Sequence, residues 1–115
     1  GRGMDELSSP GINDICEVKA GQLRDTTLDP QKLGFAHAKV EELVGGEAAE
    51  NATILESVLA GTTQGPKRDI AVLNAAAGFV ITGIRDTIES GKAYAEELLT
   101  RGAAHSKLRE MQSLC

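Results

Sequence analysis

The sequence predicts an α/β chain in which a β-hairpin is followed by about four helices. Three observations carry that expectation. Two β-tolerant stretches, Ile12–Val18 and Gln22–Leu28, flank the turn string "KAGQ". From about residue 46 onward, segments with aliphatic residues three and four apart succeed one another. Aromatic residues are scarce, Phe35, Phe79 and Tyr94 alone, so the core has to be built from Leu, Ile, Val and Ala.

The first element follows from the turn. Gly21 can supply the positive φ that a tight hairpin needs. Asp29-Pro30 then has the form of a helix start, with Asp29 as N-cap and Pro30 in the first helical position, and Gly34 stops that turn. In "GGEAAENATILESVLAG", Ala52, Leu55, Val58 and Leu59 share one helical face, Glu47 and Glu50 lie early where the helix dipole favours negative charge, and Gly61 closes the helix. "GPKRDIAVLNAAAGFVITG" is the next helix, with Pro66 near its start. Its apolar residues run all round the cylinder, the pattern of a helix buried on every side, and a chain of 115 residues supplies few neighbours to bury it.

"RDTIESGKAYAEELLTRG" is the third helix of this part. Asp86 or Thr87 can cap it, Asp86 and Glu89 have the spacing of a capping box, and Ile88, Ala95, Leu98 and Leu99 form its apolar stripe. Gly102 ends it. "AAHSKLREMQSL" repeats the pattern with Ala104, Leu108 and Met111.

Composition narrows the function. The net charge of −5 supplies no cationic excess to displace counterions from a phosphate backbone, which argues against nucleic acid, and gives no support to an anionic membrane surface. The most apolar run, Ile70 to Ile81, is shorter than the roughly 20 residues a bilayer span needs. Cys16 and Cys115 have no C-x-x-C spacing, which excludes a zinc motif. Two isolated thiols fit a reducing compartment, so the cytoplasm is the default, although a disulfide between them is open.

Taken in order and at their distances, "GMDEL", "DPQKLGF", "GGEAAENATILESVLAG", "RDIAVLNAAAGFVITG" and "ESGKAYAEELLTRGAAHSKL" resemble the C-terminal part of the anthranilate phosphoribosyltransferase family. The resemblance runs from Gly1 to about Met111. It implies an α/β domain of the nucleoside phosphorylase/phosphoribosyltransferase type, with a mostly parallel sheet and a small helical domain elsewhere. Residues 1–34 would be a metal loop and hairpin, and residues 46–113 a helical part. The implied reaction is transfer of the phosphoribosyl group from phosphoribosyl pyrophosphate to anthranilate, assisted by Mg2+, in tryptophan biosynthesis. The family's preceding strand and histidine turn, its glycine-rich phosphate loop, its main anthranilate contacts and its dimer helices all lie upstream of the matched part. The resemblance therefore implies a fragment, inactive alone, of an enzyme that is a homodimer when intact. "GRG" does not replace the phosphate loop, because it lacks a strand before it and a helix after it.

Asp5 and Glu6 are the candidate site. On their own they read as two solvated acids in a loop. Under the resemblance they are Mg2+ ligands beside the pyrophosphate, and a hard ion held by one or two carboxylates plus substrate phosphates is an ordinary arrangement. Asn74 and Asn51 read as amides satisfied by nearby backbone or an interhelix bond. His37 and His105 read as solvated. Lys67-Arg68-Asp69 reads as a solvated helix end, with a phosphate contact as the lesser option. Cys16 has no activating neighbour and reads as inert. The rival readings are a helical binding module without catalysis and a superfamily member with a different acceptor. A chain of this kind alone is expected to be marginal or self-associating, because strand edges and one face of the Ile70–Ile81 helix would be uncovered.

Overall fold

The structure is a computed structural model that describes residues 3–114. Two strands, β1 (Asn13–Lys19) and β2 (Gln22–Leu28), pair antiparallel with Asn13 opposite Leu28 and Lys19 opposite Gln22. The two-residue turn puts Ala20 at φ 51° and Gly21 at φ 75°, the positive pair that a type I′ hairpin requires. Gly21 does what the sequence predicts; Ala20 adopts the same hand without a glycine's freedom. Burial alternates along β1, with Asn13 buried and Ile15 and Glu17 half-buried, whereas β2 is exposed until Leu28. The hairpin is rooted at its base and projects at its tip.

A 3-10 turn follows at Pro30–Leu33, capped by Asp29, whose carboxylate accepts a hydrogen bond from the Gln31 amide at 3.0 Å. Gly34 ends it at φ 83°. A second 3-10 turn, Val40–Leu43, has no counterpart in the sequence expectation. Four helices complete the chain: α1 (Ala48–Leu59), α2 (Pro66–Ile81), α3 (Ile88–Thr100) and α4 (Ala103–Gln112). Helix α2 packs chiefly on α3, and α4 bridges α3 and α1.

The core is mostly aliphatic, as the composition suggests, but it includes one of the few aromatic rings. Phe35, Val72, Leu73, Ala95 and Leu99 form it, with Leu7, Leu28, Leu33, Leu59 and Phe79 packed around them. Phe79 meets Tyr94 edge-on at 5.0 Å between ring centroids, and the Arg85 guanidinium lies over the Tyr94 ring, 3.8 Å from its centroid. Such stacking adds to simple area burial.

Three expectations change. On α1, Val58 is buried but Ala52 is exposed and Leu55 is 51% exposed; the helix turns Ile54 and Val58 inward because its main neighbour, α4, lies on that side. The cap of α3 is Thr87, paired with Ser90 rather than Asp86 with Glu89: the Ser90 amide donates to Thr87 Oγ1 at 3.1 Å. Helix α2 is buried only along Val72, Leu73 and Ala76, while Ala71 is exposed and Ile81 is 85% exposed. Its all-round apolar pattern therefore finds cover on one side within the described residues.

Candidate functional site

Asp5 and Glu6 lie in an irregular loop and are both exposed. With Gly3, Met4 and Ile70 they line an open depression against the first turns of α2. The loop is fixed on the C-terminal flank of the acids. Leu7 enters the core, and Ser8, Ser9 and Pro10 are buried. The acids thus stand at the rim of a well-packed segment.

Side-chain amides do the fixing. Leu7 N–H donates to Asn74 Oδ1 at 3.0 Å, and Asn74 Nδ2 donates back to the Leu7 carbonyl at 2.9 Å. One residue on, Ser8 N–H donates to Asn13 Oδ1 at 2.8 Å, and Asn13 Nδ2 donates to the Ser8 carbonyl at 2.9 Å. Each asparagine imitates a neighbouring strand for one residue and so pairs backbone groups that would otherwise be buried unmet. The Ser8 and Ser9 hydroxyl oxygens are buried with no hydrogen-bond partner among the described residues.

A third asparagine repeats the device at a distance. Gly46 N–H donates to Asn51 Oδ1 at 2.9 Å and Asn51 Nδ2 donates to the Gly46 carbonyl at 2.8 Å. The expectation for Asn51 and Asn74, amides satisfied by backbone, holds for both. Asn13 has no such expectation in the sequence, because an asparagine at a strand start has no pattern that marks it.

The basic residues near α2 are already engaged. Lys67 Nζ donates to the Val44 carbonyl. Arg68 is largely buried and sits 3.6 Å from Asp69 and 3.9 Å from Glu96, which also pairs with Lys92 at 3.3 Å. This helix end is a packed ion network rather than a solvated one. Burial pushes the Asp69 carboxyl above its ordinary range, Glu96 adds to that, and Arg68 and Lys92 oppose it. His37 is exposed, as expected. His105 is not simply solvated: its Nε2 lies 3.5 Å from Glu56 Oε1, and Arg109 Nη2 donates to the same oxygen, tying α4 to α1. Cys16 is exposed opposite Asp25, and the hydrogen bond to that carboxylate pushes the thiol pKa up, which fits an inert thiol. Its conceivable partner Cys115 and the "GR" of the opening string lie outside the described residues.

The acid pair brings two carboxylates together at the open depression. Among the described residues no group of three or more His, Cys, Asp or Glu side chains could hold an ion. Two adjacent exposed carboxylates offer hard oxygen donors and leave most of a coordination sphere to water and phosphate, which fits Mg2+ and not a closed transition-metal site.

The sequence model of the glycosyl transferase family, a/b domain, matches residues 1–105. This chain belongs to that family. The glycosyl transferase a/b domain here is 45% identical over 112 residues to the anthranilate phosphoribosyltransferase of Clostridium beijerinckii, covering 97% of this chain and 33% of that protein. It is 41% identical over 111 residues to the same-named enzyme of Anaeromyxobacter sp. strain K, covering 96% and 33%. The crystal structure of anthranilate phosphoribosyltransferase from Thermus thermophilus superimposes with a TM-score of 0.85 at 35% identity, over 96% of this chain and 32% of that one. The Saccharomyces cerevisiae enzyme in complex with 4-fluoroanthranilate gives a TM-score of 0.85 at 25% identity, over 94% and 32%. The chain thus spans about a third of the length of the relatives it matches. The hairpin and four helices expected from the sequence are those of this glycosyl transferase a/b domain. No helix among the described residues is long and apolar enough to cross a membrane.

Proposed function

We propose that this chain serves as the C-terminal part of an anthranilate phosphoribosyltransferase and carries its magnesium-binding acid pair. The observation that supports this most is the similarity to enzymes of that name over nearly the whole chain, at 45% and 41% identity. In the reaction, the amino nitrogen of anthranilate forms a bond to C1 of the ribose, the bond from C1 to the pyrophosphate oxygen breaks, and the amino group loses a proton. Negative charge collects on the departing pyrophosphate. Mg2+, when bound, supplies neutralisation of that charge.

The residues of this chain that would hold the ion are Asp5 and Glu6. Their exposure leaves the carboxylates free to face a phosphate-bound cation, and the buried Ser8–Pro10 segment behind them limits their retreat. The depression that the two acids line with Gly3, Met4 and Ile70 is open, which would leave room for the phosphates of the substrate beside the carboxylates. The same reading takes phosphoribosyl pyrophosphate and anthranilate as substrates, a homodimer as the intact assembly and the cytoplasm as its location.

The test is a chimera. This chain replaces the matched segment of the Clostridium beijerinckii relative, and disappearance of anthranilate fluorescence is followed with phosphoribosyl pyrophosphate and Mg2+. Magnesium-dependent turnover is expected. Asp5→Asn combined with Glu6→Gln lowers kcat by about a hundredfold or more in a chimera that still melts cooperatively. A folded, inactive chimera, or full activity without the acids, overturns the proposal.

A further inference from the structure

We infer that Asn74 is a positioning residue for the Asp5-Glu6 pair, which it sets through the main chain of Leu7; the inference rests on the metal role proposed for those acids. Asn74 stands in the middle of α2 and uses its amide in full. Its Oδ1 takes the Leu7 N–H at 3.0 Å, and its Nδ2 donates both to the Leu7 carbonyl at 2.9 Å and to the Ile70 carbonyl of its own helix at 3.0 Å. The third bond fixes the amide's orientation on α2, so the first two transmit the position of the helix to the loop.

The placement matters because the loop has no regular structure from Met4 to Ile12. Among the described residues no strand partner sets the height of Glu6 over α2. Asn74 does so at the very next residue, and Asn13 repeats the hold on Ser8 from the hairpin side. Two amides from two separate elements therefore grip consecutive residues directly after the acids. Ile70, whose carbonyl orients Asn74, also lines the depression that the acids share. Groups behind metal-binding carboxylates commonly govern metal affinity without touching the ion. Leucine or alanine cannot pair both Leu7 groups, and aspartate has no hydrogens to donate.

The test uses the 115-residue chain itself, with Mn2+ and inorganic pyrophosphate as the probe. Paramagnetic broadening of backbone amide NMR signals reads where Mn2+ sits, and hydrogen exchange reads the Leu7 amide. In the unaltered chain, saturable broadening is expected around Asp5 and Glu6. Asn74→Ala should weaken Mn2+ binding about tenfold and accelerate Leu7 exchange while α3 amides keep their protection. Asn74→Ser, which can pair only one Leu7 group, should fall between the two and serves in place of Asn74→Ala if that variant loses α3 protection. Asn51→Ala removes the equivalent clamp on Gly46, which holds neither Leu7 nor Ser8, and should leave Mn2+ binding unchanged. Unchanged Mn2+ affinity in Asn74→Ala despite a freed Leu7 amide, or equal weakening in Asn51→Ala, overturns the positioning role and leaves the metal reading standing. Broadening that ignores Asp5→Asn with Glu6→Gln, or none near the acids, overturns the metal reading and this inference together.

Discussion

Gly91 of α3 lies so close to Ala76 of α2 that a β-carbon on it would stand 2.7 Å from the Ala76 carbonyl oxygen and 3.0 Å from its Cα. The obstacle is backbone, not the end of a flexible side chain. Helices α2 and α3 thus meet main chain to main chain at this point, and the largest helix pairing in the chain depends on one missing methyl group.

Gly91→Ala should therefore push the two helices apart and cost about 1–3 kcal/mol. Gly78, in the same pair of helices, has nothing within 4 Å of its notional β-carbon. Gly78→Ala should instead stabilise by up to roughly 1 kcal/mol through helix propensity. Urea melts of the two variants, run side by side, should shift in opposite directions. A shift of the same sign in both would mean that propensity rather than contact governs Gly91.

The hairpin turn offers a gain. Ala20 holds φ at 51° in front of Gly21, a conformation that costs an ordinary L-residue roughly 1 kcal/mol. Ala20→Asn creates the Asn-Gly pair that such turns favour. It should stabilise the hairpin by about 0.5–1 kcal/mol, read as slower exchange of the amides of β1 and β2. Unchanged exchange would show that the tip does not limit opening.

Asp69 gives a pH dependence. Burial raises its pKa in the folded chain, so the folded state binds its proton more tightly than the unfolded state does. Below the unfolded value the carboxyl is protonated in both states and carries no penalty. As pH rises through that value toward the raised folded value, stability falls, and above the folded value the full penalty is present. Asp69→Asn should remove this contribution. The difference in unfolding free energy between variant and parent should grow in the variant's favour as pH rises from about 4, the unfolded carboxyl value, and level off above the raised folded value, measured by denaturant melts at closely spaced pH. A difference that is flat or shrinks would show that Arg68 outweighs burial.

Ser9 is 1% exposed and its hydroxyl oxygen has no partner among the described residues. Ser9→Ala should be neutral or stabilising by up to about 1 kcal/mol, since an unmet buried hydroxyl costs about that much. Calorimetric melting decides it; a loss of more than about 1 kcal/mol would mean the hydroxyl is bonded in solution.

Local chemistry made much of this fold legible. The hairpin, the Asp29-Pro30 start, the Gly34 stop and the ends of the four helices all follow from residues within a few positions of one another. What stayed hidden depends on distant partners. Gly91 reads in sequence as a weak spot in a helix, and only the proximity of Ala76 gives it a purpose. Asn74 shows a polar residue in an apolar helix, but its partner lies 67 residues away. The side of α1 that is buried depends on α4 rather than on its own periodicity. Asp5 and Glu6 stand out through family resemblance alone; their residue types and spacing describe any acidic loop.

Tyr94 has an optical consequence. The chain has one tyrosine and no tryptophan, so ultraviolet emission and most near-ultraviolet dichroism come from a single ring. That ring touches both Phe79 of α2 and the Arg85 guanidinium of the following loop. The molecule thus carries a built-in, single-position spectroscopic probe. A tyrosine signal followed during unfolding reports the parting of α2 and α3, while the hairpin could come apart without altering it.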